Sequence, residues 1–331
     1  MISARRGSGR PSDHYDGRKF FNPRIDTDKS LRDLRRWRRS RRPGAWPSRL
    51  RNPIFPPPPE VAQDEISLTF IGHATFLLRF DGMNLLTDPI FSERASPVSW
   101  GGPKRVRAPG VAFDDLPEIH VVLLSHNHYD HMDLPSLRRL RDRWNPKIVT
   151  GLENGRYLAR KGLGNCLELD WWEGCEPRPG LRITYVPAQH WSKRGLFDKR
   201  RMLWGGHVID APAGRVYFAG DTGYPGDFAA IRRRLGPPDI ALLPIGAYEP
   251  RWFMGPQHMN PDEAVRAHLE LEAALSLAMH FATFPLADEA IEAPLAALAT
   301  ARRRHGVPPQ DFRVAGFGES VLWRKPRPAA G

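Results

Sequence analysis

Four residues within six positions, His126, His128, Asp130 and His131, are the side chains in this sequence best suited to chemistry. Imidazole nitrogens suit zinc and related cations, and a carboxylate completes or shares a metal shell. One pair can face one cation and the other pair a second, so the His-x-His-x-Asp-His run reads as a metal-binding loop. Neither packing nor solubility calls for four liganding groups so close together.

Such a loop needs a rigid support. Val121 to Leu124, just before it, is a short β-branched and aliphatic run that reads as a buried strand, and Ser125 breaks the pattern. The arrangement recurs downstream. Leu181 to Trp191 is an alternating strand whose end carries His190, Arg215 to Tyr224 stops at Gly220-Asp221-Thr222-Gly223, and Ala274 to Phe284 has His280 at its edge. Ligand-type residues far apart in sequence thus fall where apolar strands end, which is how a sheet rim fixes a site.

The chain has 331 residues and 41% apolar content, enough for a real core in one large or two ordinary domains. Cys166 and Cys175 form no C-x-x-C, which argues against a disulfide framework and against cysteine-held zinc. No run of about 18 apolar residues exists, so no transmembrane segment is expected, and the N-terminal stretch lacks the apolar core of a signal peptide. Arg35-Arg36 is not followed by the hydrophobic segment of a twin-arginine signal. The expected location is the cytoplasm or the cytoplasmic face of a membrane.

Charge divides the chain. Residues 1–60 carry 16 Lys and Arg against 6 Asp and Glu, whereas residues 61–331 carry 33 against 31. We therefore expect a basic, Pro-rich N-terminal arm over 1–60 and a near-neutral folded body over 61–331. The arm is densest at RRWRRSRR, Arg35 to Arg42, and later reaches a proline run at Pro56 to Pro59. Three readings of it stand. It can lie on anionic lipid with Trp37 and Trp46 at the interface. It can track a nucleic-acid backbone, or it can be a solvated arm packed along the body. The spacing predicts a short helix over Leu31 to Trp37, limited by Pro43 and Pro47.

The body should begin near Ile66. Ile66 to Phe80 shows two apolar stretches around Gly72-His73, Asp81-Gly82 is a hairpin turn signal, and MNLLTDPI is the return strand ending at Asp88. Residues 91–119 are loop-like. After the histidine loop come a helix over Leu134 to Arg143, a strand over Lys147 to Thr150 and a short helix over Asn154 to Lys161. This order argues for a layered α/β fold and against a bundle.

The histidine loop, a later lone His190, the Asp221 turn and a late His280 together resemble the metallo-β-lactamase superfamily pattern. Within it, the chain is most similar to the N-acylphosphatidylethanolamine-hydrolysing phospholipase D family. The stretches that carry this likeness include IGHAT (Ile71 to Thr75), LTDPIFSERASP (Leu86 to Pro97), LSHNHYDH (Leu124 to His131), ELDWWE (Glu168 to Glu173), AGDTGY (Ala219 to Tyr224) and PIGAYEPRWFM (Pro244 to Met254). They lie within a span from about Leu68 to Trp323. Two departures bear on acyl-chain preference and membrane approach. The late His280 stands in HFATF where the vertebrate pattern has tryptophan and glycine, and the arm is shorter and more basic.

The resemblance implies a metallo-β-lactamase fold, a four-layer αββα sandwich of class α/β (α+β), with the hydrolase domain over 61–331. It implies two Zn(2+) per chain, one held by His126, His128 and His190, the other by Asp130, His131 and His280, with Asp221 bridging. Zinc lowers the pKa of bound water towards 7, so no separate strong base is needed. Asp130, Asp221 and His258 are the expected catalytic residues, His258 assisting the leaving oxygen or gripping phosphate. Its bland alternative is a polar residue before the helix that Pro261-Asp262-Glu263 starts, with Asn260 as cap. Asn127, Tyr129 and Gln257 are expected in the pocket wall and Tyr248, Arg251 and Trp252 at its mouth, though Arg251 can equally tie down a loop by pairing with a carboxylate. His73 is expected behind the metal ligands. The implied reaction is hydrolysis of N-acylphosphatidylethanolamine, a membrane phospholipid, to N-acylethanolamine and phosphatidate. Alternatives are another small phosphodiester, ester or lactone, or a nuclease activity. The arm is expected to meet an anionic membrane surface, nucleic acid is not expected as a partner, and a homodimer is the assembly to test.

Overall fold

Val121 and Leu123 are buried in one hydrophobic cluster, while Val122 and Leu124 are buried in another. Alternate side chains of a strand leave by opposite faces, so this strand is covered on both sides and belongs inside a layered structure. The computed structural model describes residues 12–56 and 60–325; residues 1–11, and Pro57 to Pro59 of the proline run, lie outside them.

The layers are two seven-stranded mixed sheets packed face to face with helices outside, the metallo-β-lactamase sandwich expected from the sequence. In chain order the first sheet takes β1 (Glu65–Gly72), β2 (Thr75–Phe80), β3 (Met83–Thr87), β4 (Val121–Leu124), β5 (Lys147–Gly151) and β6 (Cys166–Leu169). The second takes β7 (Gly174–Arg178), β8 (Leu181–Val186), β9 (Gly206–Ala211), β10 (Gly214–Phe218), β11 (Ile240–Pro244), β12 (Leu275–Met279) and β13 (Phe312–Arg313). A last strand, β14 (Ser320–Arg324), returns to the first sheet and pairs antiparallel with β1. Strands β3 to β6 run parallel, as do β10 to β13, so each sheet presents a row of strand C-termini on one rim.

The helices are α1 (Leu31–Ser40), α2 (Leu134–Trp144), α3 (Asn154–Ala159), α4 (Phe228–Leu235), α5 (Arg251–Met254), α6 (Pro261–Leu271) and α7 (Ala293–His305). Leu137 and Leu140 of α2 pack with Ile71, Leu77 and Leu86 against the outer face of the first sheet. Helix α6 packs on β11, flanked by α4 and α7. Asn260 and Glu263 form a reciprocal capping box at its start, with Pro261 at the first helical position.

Three strands end earlier than their apolar patterns suggested, at Val186, Phe218 and Met279. The patterns run on because Ala188, Ala219, Phe281 and Ala282 remain buried after the chain has left the sheet. The ligand residues therefore sit on short, packed loops just past the strands. Helix α1 extends to Ser40, beyond the expected Trp37, because no proline intervenes before Pro43.

The described part of the arm packs along the body. Phe20 is buried in the main hydrophobic core. Trp37 stacks on Phe253 with centroids 5.0 Å apart and planes 1° from parallel, and Trp46 Nε1 donates to the Glu289 carbonyl at 2.9 Å. Both indoles are thus half-buried against the body.

Candidate metal centre

The loop after β4 brings its four donors to the gap between the sheets, where the second sheet adds His190 after β8, Asp221 after β10 and His280 after β12. His126, His128 and His190 form one group: His126 Nε2 lies 2.9 Å and His190 Nε2 3.2 Å from His128 Nδ1. Three nitrogens bound tetrahedrally at about 2.1 Å from one zinc stand roughly 3.4 Å apart, so little movement is needed to seat an ion. Asp130, His131 and His280 form the second group, with His73 at its back. His131 Nε2 and His280 Nε2 lie 3.3 and 3.4 Å from Asp130 Oδ2, and His73 Nε2 contacts the same oxygen at 3.0 Å. Asp221 stands between the groups, with Oδ1 3.3 Å from His280 Nε2 and Oδ2 3.2 Å from His131 Nε2 and 3.8 Å from His190 Nε2.

The backbone is bent to make this convergence. Gly220 has φ +59°, and a Cβ there would lie 2.6 Å from Ser125 Cβ, so glycine allows the Asp221 turn to close against the histidine loop. His73, Asp88 and His280 have φ of 58°, 32° and 60°, a region costly for residues with a Cβ and found where a site over-determines its geometry.

The donor set fits two divalent cations. Among the atoms that face the two groups, Nε2 of His131, Nε2 of His280 and Oδ1 of Asp221 are buried without a hydrogen-bond partner. The ion-pair distances around His131 and His280 are close, but the groups are not aligned as hydrogen bonds. Unpartnered buried polar atoms are costly unless something else satisfies them, and imidazole with carboxylate is a donor mixture that zinc, iron or manganese accepts.

Behind the donors, two of the rings are aimed by a hydrogen bond. His131 Nδ1 faces Asp88 Oδ2 at 2.6 Å, so a proton held there leaves Nε2 as the free donor. The same carboxylate accepts from the Ser125 main-chain N–H at 2.8 Å and from its hydroxyl at 2.5 Å. His190 Nδ1 donates to the Gln257 carbonyl at 2.9 Å. The sequence pattern does not reveal this role of Asp88, whose one signal is a carboxylate at the end of the strand beside β4.

Electrostatics treat the groups differently. Burial holds His126 well below the ordinary histidine range, His128 at about 3 and His190 at about 4, so their lone pairs are available. Burial also acts to lower His131 and His280, but Asp221 and Asp130 outweigh it, raising His131 strongly and His280 to about 9. Burial disfavours ionised Asp130 and Asp221, yet the His131 charge beside each holds its pKa well below the carboxylate range. A cation entering the second group therefore displaces protons, whereas the first group is already deprotonated.

Of the remaining expected residues, His258 and Gln257 contact the donors directly. His258 is buried, its Nδ1 has no hydrogen bond and lies 3.8 Å from Asp221 Oδ2, and burial keeps the ring neutral. Gln257 is buried beside it. Asn127 is buried with its amide on Met202 Sδ at 3.1 Å, and the Tyr129 hydroxyl donates to the Arg194 carbonyl at 2.7 Å. Tyr248 is buried, and burial followed by Glu289 and Glu249 pushes its phenol up to about 12. Arg251 takes the second of its two expected roles, donating to both oxygens of Glu263 at 2.8 and 2.7 Å and to the His258 carbonyl at 2.9 Å. It fixes the His258 turn to α6.

A family model described as a beta-lactamase superfamily domain matches residues 83–281. The chain is 41% identical over 229 residues to N-acyl-phosphatidylethanolamine-hydrolyzing phospholipase D 1 of Caenorhabditis elegans, covering 66% of this chain and 64% of that protein. The chain thus spans somewhat less than two thirds of that relative's length. It is 37% identical over 272 residues to an uncharacterized protein of Mycobacterium tuberculosis, covering 78% of this chain and 72% of the relative. Among solved structures, Igni18, a metallo hydrolase of Ignicoccus hospitalis, aligns over 79% of this chain and 100% of its own with a TM-score of 0.61 and 24% identity, a likeness of fold. Two mixed sheets, donor groups at their shared rim and a family match across most of the body place the chain in the metallo-β-lactamase superfamily.

Proposed function

We propose that the chain is a binuclear zinc phosphodiesterase that hydrolyses N-acylphosphatidylethanolamine to N-acylethanolamine and phosphatidate. The observation that carries the binuclear part is the position of Asp221, which offers one oxygen to His280 and the other to His131 and His190 at 3.2 to 3.8 Å. Identity to the worm phospholipase supports the substrate class.

Two bound cations supply Lewis acidity and a water of lowered pKa. The chain's residues do the rest. Asp88 and the Gln257 carbonyl set the tautomers of His131 and His190, and Asp221 screens the repulsion between the two positions. His258, neutral and lacking a hydrogen bond at Nδ1, is placed to hold a phosphate oxygen or to hand a proton to the departing alkoxide. Tyr129 and Arg194, with the guanidinium 4.1 Å from the ring centroid, form a wall beside the histidine loop.

A second reading is a hydrolase of another small phosphodiester, ester or lactone. It is favoured by the centre itself, since the cations its donors would hold would stabilise any substrate atom that develops oxyanion charge. The deciding experiment incubates the metal-loaded protein with N-acylphosphatidylethanolamine vesicles, a soluble aryl phosphodiester, an aryl ester, a lactone and RNA. Release of N-acylethanolamine and phosphatidate with turnover well above that on the ester and lactone supports the first reading. Ester or lactone hydrolysis without lipid cleavage replaces it with the second, and RNA cleavage would replace both.

A further inference from the structure

Two consecutive large apolar residues, Leu196 and Phe197, are 83% and 85% exposed at the tip of the loop that follows His190. The tip is not slack. Asp198 Oδ1 accepts from the main-chain N–H groups of Arg194 and Gly195 at 3.0 and 2.7 Å, closing a turn that pushes both side chains outward. At the base, Arg200 N–H donates to the Ser192 carbonyl at 2.7 Å and the Ser192 hydroxyl to the Met202 carbonyl at 2.5 Å. Tyr129, inside the histidine loop, donates to the Arg194 carbonyl, and Arg194 Nη1 donates to the Asn127 carbonyl at 2.9 Å. The exposed pair is therefore braced directly on the loop that carries the metal donors.

The surroundings are cationic. Lys193, Arg194, Lys199, Arg200 and Arg201 flank the tip, with Asp198 the one acid among them. Asp28 pairs with Lys199 at 2.8 Å and with Arg200 at 3.0 Å, which sets the start of α1 beside the loop. From there α1 adds Leu31, 74% exposed, and the exposed Arg32, Arg35, Arg38 and Arg39.

We propose that the Leu196–Phe197 tip and the exposed face of α1 form one docking surface for an anionic lipid bilayer. An apolar tip with Lys193 and exposed Arg201 beside it, next to the exposed arginines of α1, matches a bilayer from both sides, with hydrocarbon for Leu196, Phe197 and Leu31 and lipid phosphates for the arginines. A second copy of the chain would meet the same dense positive charge. A nucleic acid would satisfy the arginines but leave the apolar residues in water. The inference deepens the phospholipid reading and rests on it for its purpose, since it names how a metal centre at the sheet rim is brought to a lipid headgroup.

The test uses the full chain and vesicles of phosphatidylcholine with phosphatidylglycerol, which contain no N-acylated substrate. Co-sedimentation at low and physiological salt compares the native chain with Leu196→Ser/Phe197→Ser and with Arg32→Gln/Arg35→Gln/Arg38→Gln/Arg39→Gln. The first variant should bind vesicles at least tenfold more weakly at both salts, and the second should lose the salt dependence. Both should keep metal content, thermal melting and turnover of a soluble aryl phosphodiester. Native-like vesicle binding by the first variant overturns the proposal, as does a native chain that binds no vesicles at low salt. Concentration-dependent self-association abolished by the serine pair, in place of vesicle binding, also overturns it. A chain that docks as described but does not cleave N-acylphosphatidylethanolamine sinks the substrate reading alone.

Discussion

The side-chain amide of Asn22 donates to the main-chain carbonyl of His190 at 2.8 Å. Asn22 lies outside the segment that matches the family, 83–281, so a residue of the arm holds the backbone of a candidate metal ligand. Its own Oδ1 accepts from Trp204 Nε1 at 3.3 Å, which keeps the amide oriented. Asn22→Ala should fold normally and lose about tenfold in affinity for the ion at His126, His128 and His190, the lower end for groups that orient ligands. Chelator competition and the visible spectrum of the cobalt-substituted protein check this; an unchanged spectrum and unchanged affinity would show that the contact only anchors the arm.

Seven donor residues in two groups call for two metal ions per chain. Elemental analysis of protein purified without chelator should give a value close to two. A reproducible value near one with full activity would remove Asp221 from its bridging place.

Asp221→Asn keeps the shape of the side chain and removes its charge. One group should then lose its ion, and turnover should fall by at least about a hundredfold, the usual order for a lost electrostatic contact in a transition state. Two retained metals with near-normal turnover would contradict the bridge.

His258→Ala separates substrate handling from metal binding. Its ring stands 3.8 Å from Asp221 Oδ2 and outside the two groups of three that would each hold an ion, so both ions should stay while turnover falls roughly a hundredfold. Loss of an ion in this variant would make His258 a ligand, a reading its grouping with His190 and Asp221 permits.

His14 gives the arm a pH dependence of known sign. Burial acts to lower its pKa, but contacts with Asp170 at 2.7 Å and Asp13 at 2.6 Å raise it overall, and the ring stacks 4.4 Å from Trp171. A raised folded-state pKa means the stabilisation is full below the unfolded value near 6.5 and is lost as pH rises through the folded value. The melting temperature gap between the native chain and His14→Ala should therefore be widest near pH 6 and shrink towards pH 9. A constant gap would assign the contact to packing alone.

The histidine loop and the strand before it were legible in the sequence because both signals are local: β4 occupies the four residues the apolar run marks. His190, Asp221 and His280 were legible as residues at strand ends, but the pattern overran the strands, since a packed loop beside a metal centre is as apolar as a strand. Asp88 was not legible as an orienting group, because its partner His131 is 43 residues away and the contact exists only once β3 and β4 lie side by side. The partner of Trp37, Phe253, was not legible for the same reason, and composition left the arm open between lipid, nucleic acid and the body itself. Strand β11 went unassigned within an apolar run that also fits a buried helix, and only its pairing with β10 and β12 settles it.

Each donor group takes members from both sheets: His126 and His128 meet His190 across the gap, and Asp130 and His131 meet His280. An ion in either group is then a cross-link between two halves of the chain that also meet through apolar packing, through hydrogen bonds such as Tyr185 hydroxyl to the Ser125 carbonyl and His280 N–H to the His73 carbonyl, and through β14 crossing back to β1. Neither site exists in a half-assembled chain, so the free energy of metal binding is added to that of docking the sheets. A chelator acting on this protein is a denaturant in the thermodynamic sense, and any substitution that loosens the core between the sheets is also a substitution in its metal affinity.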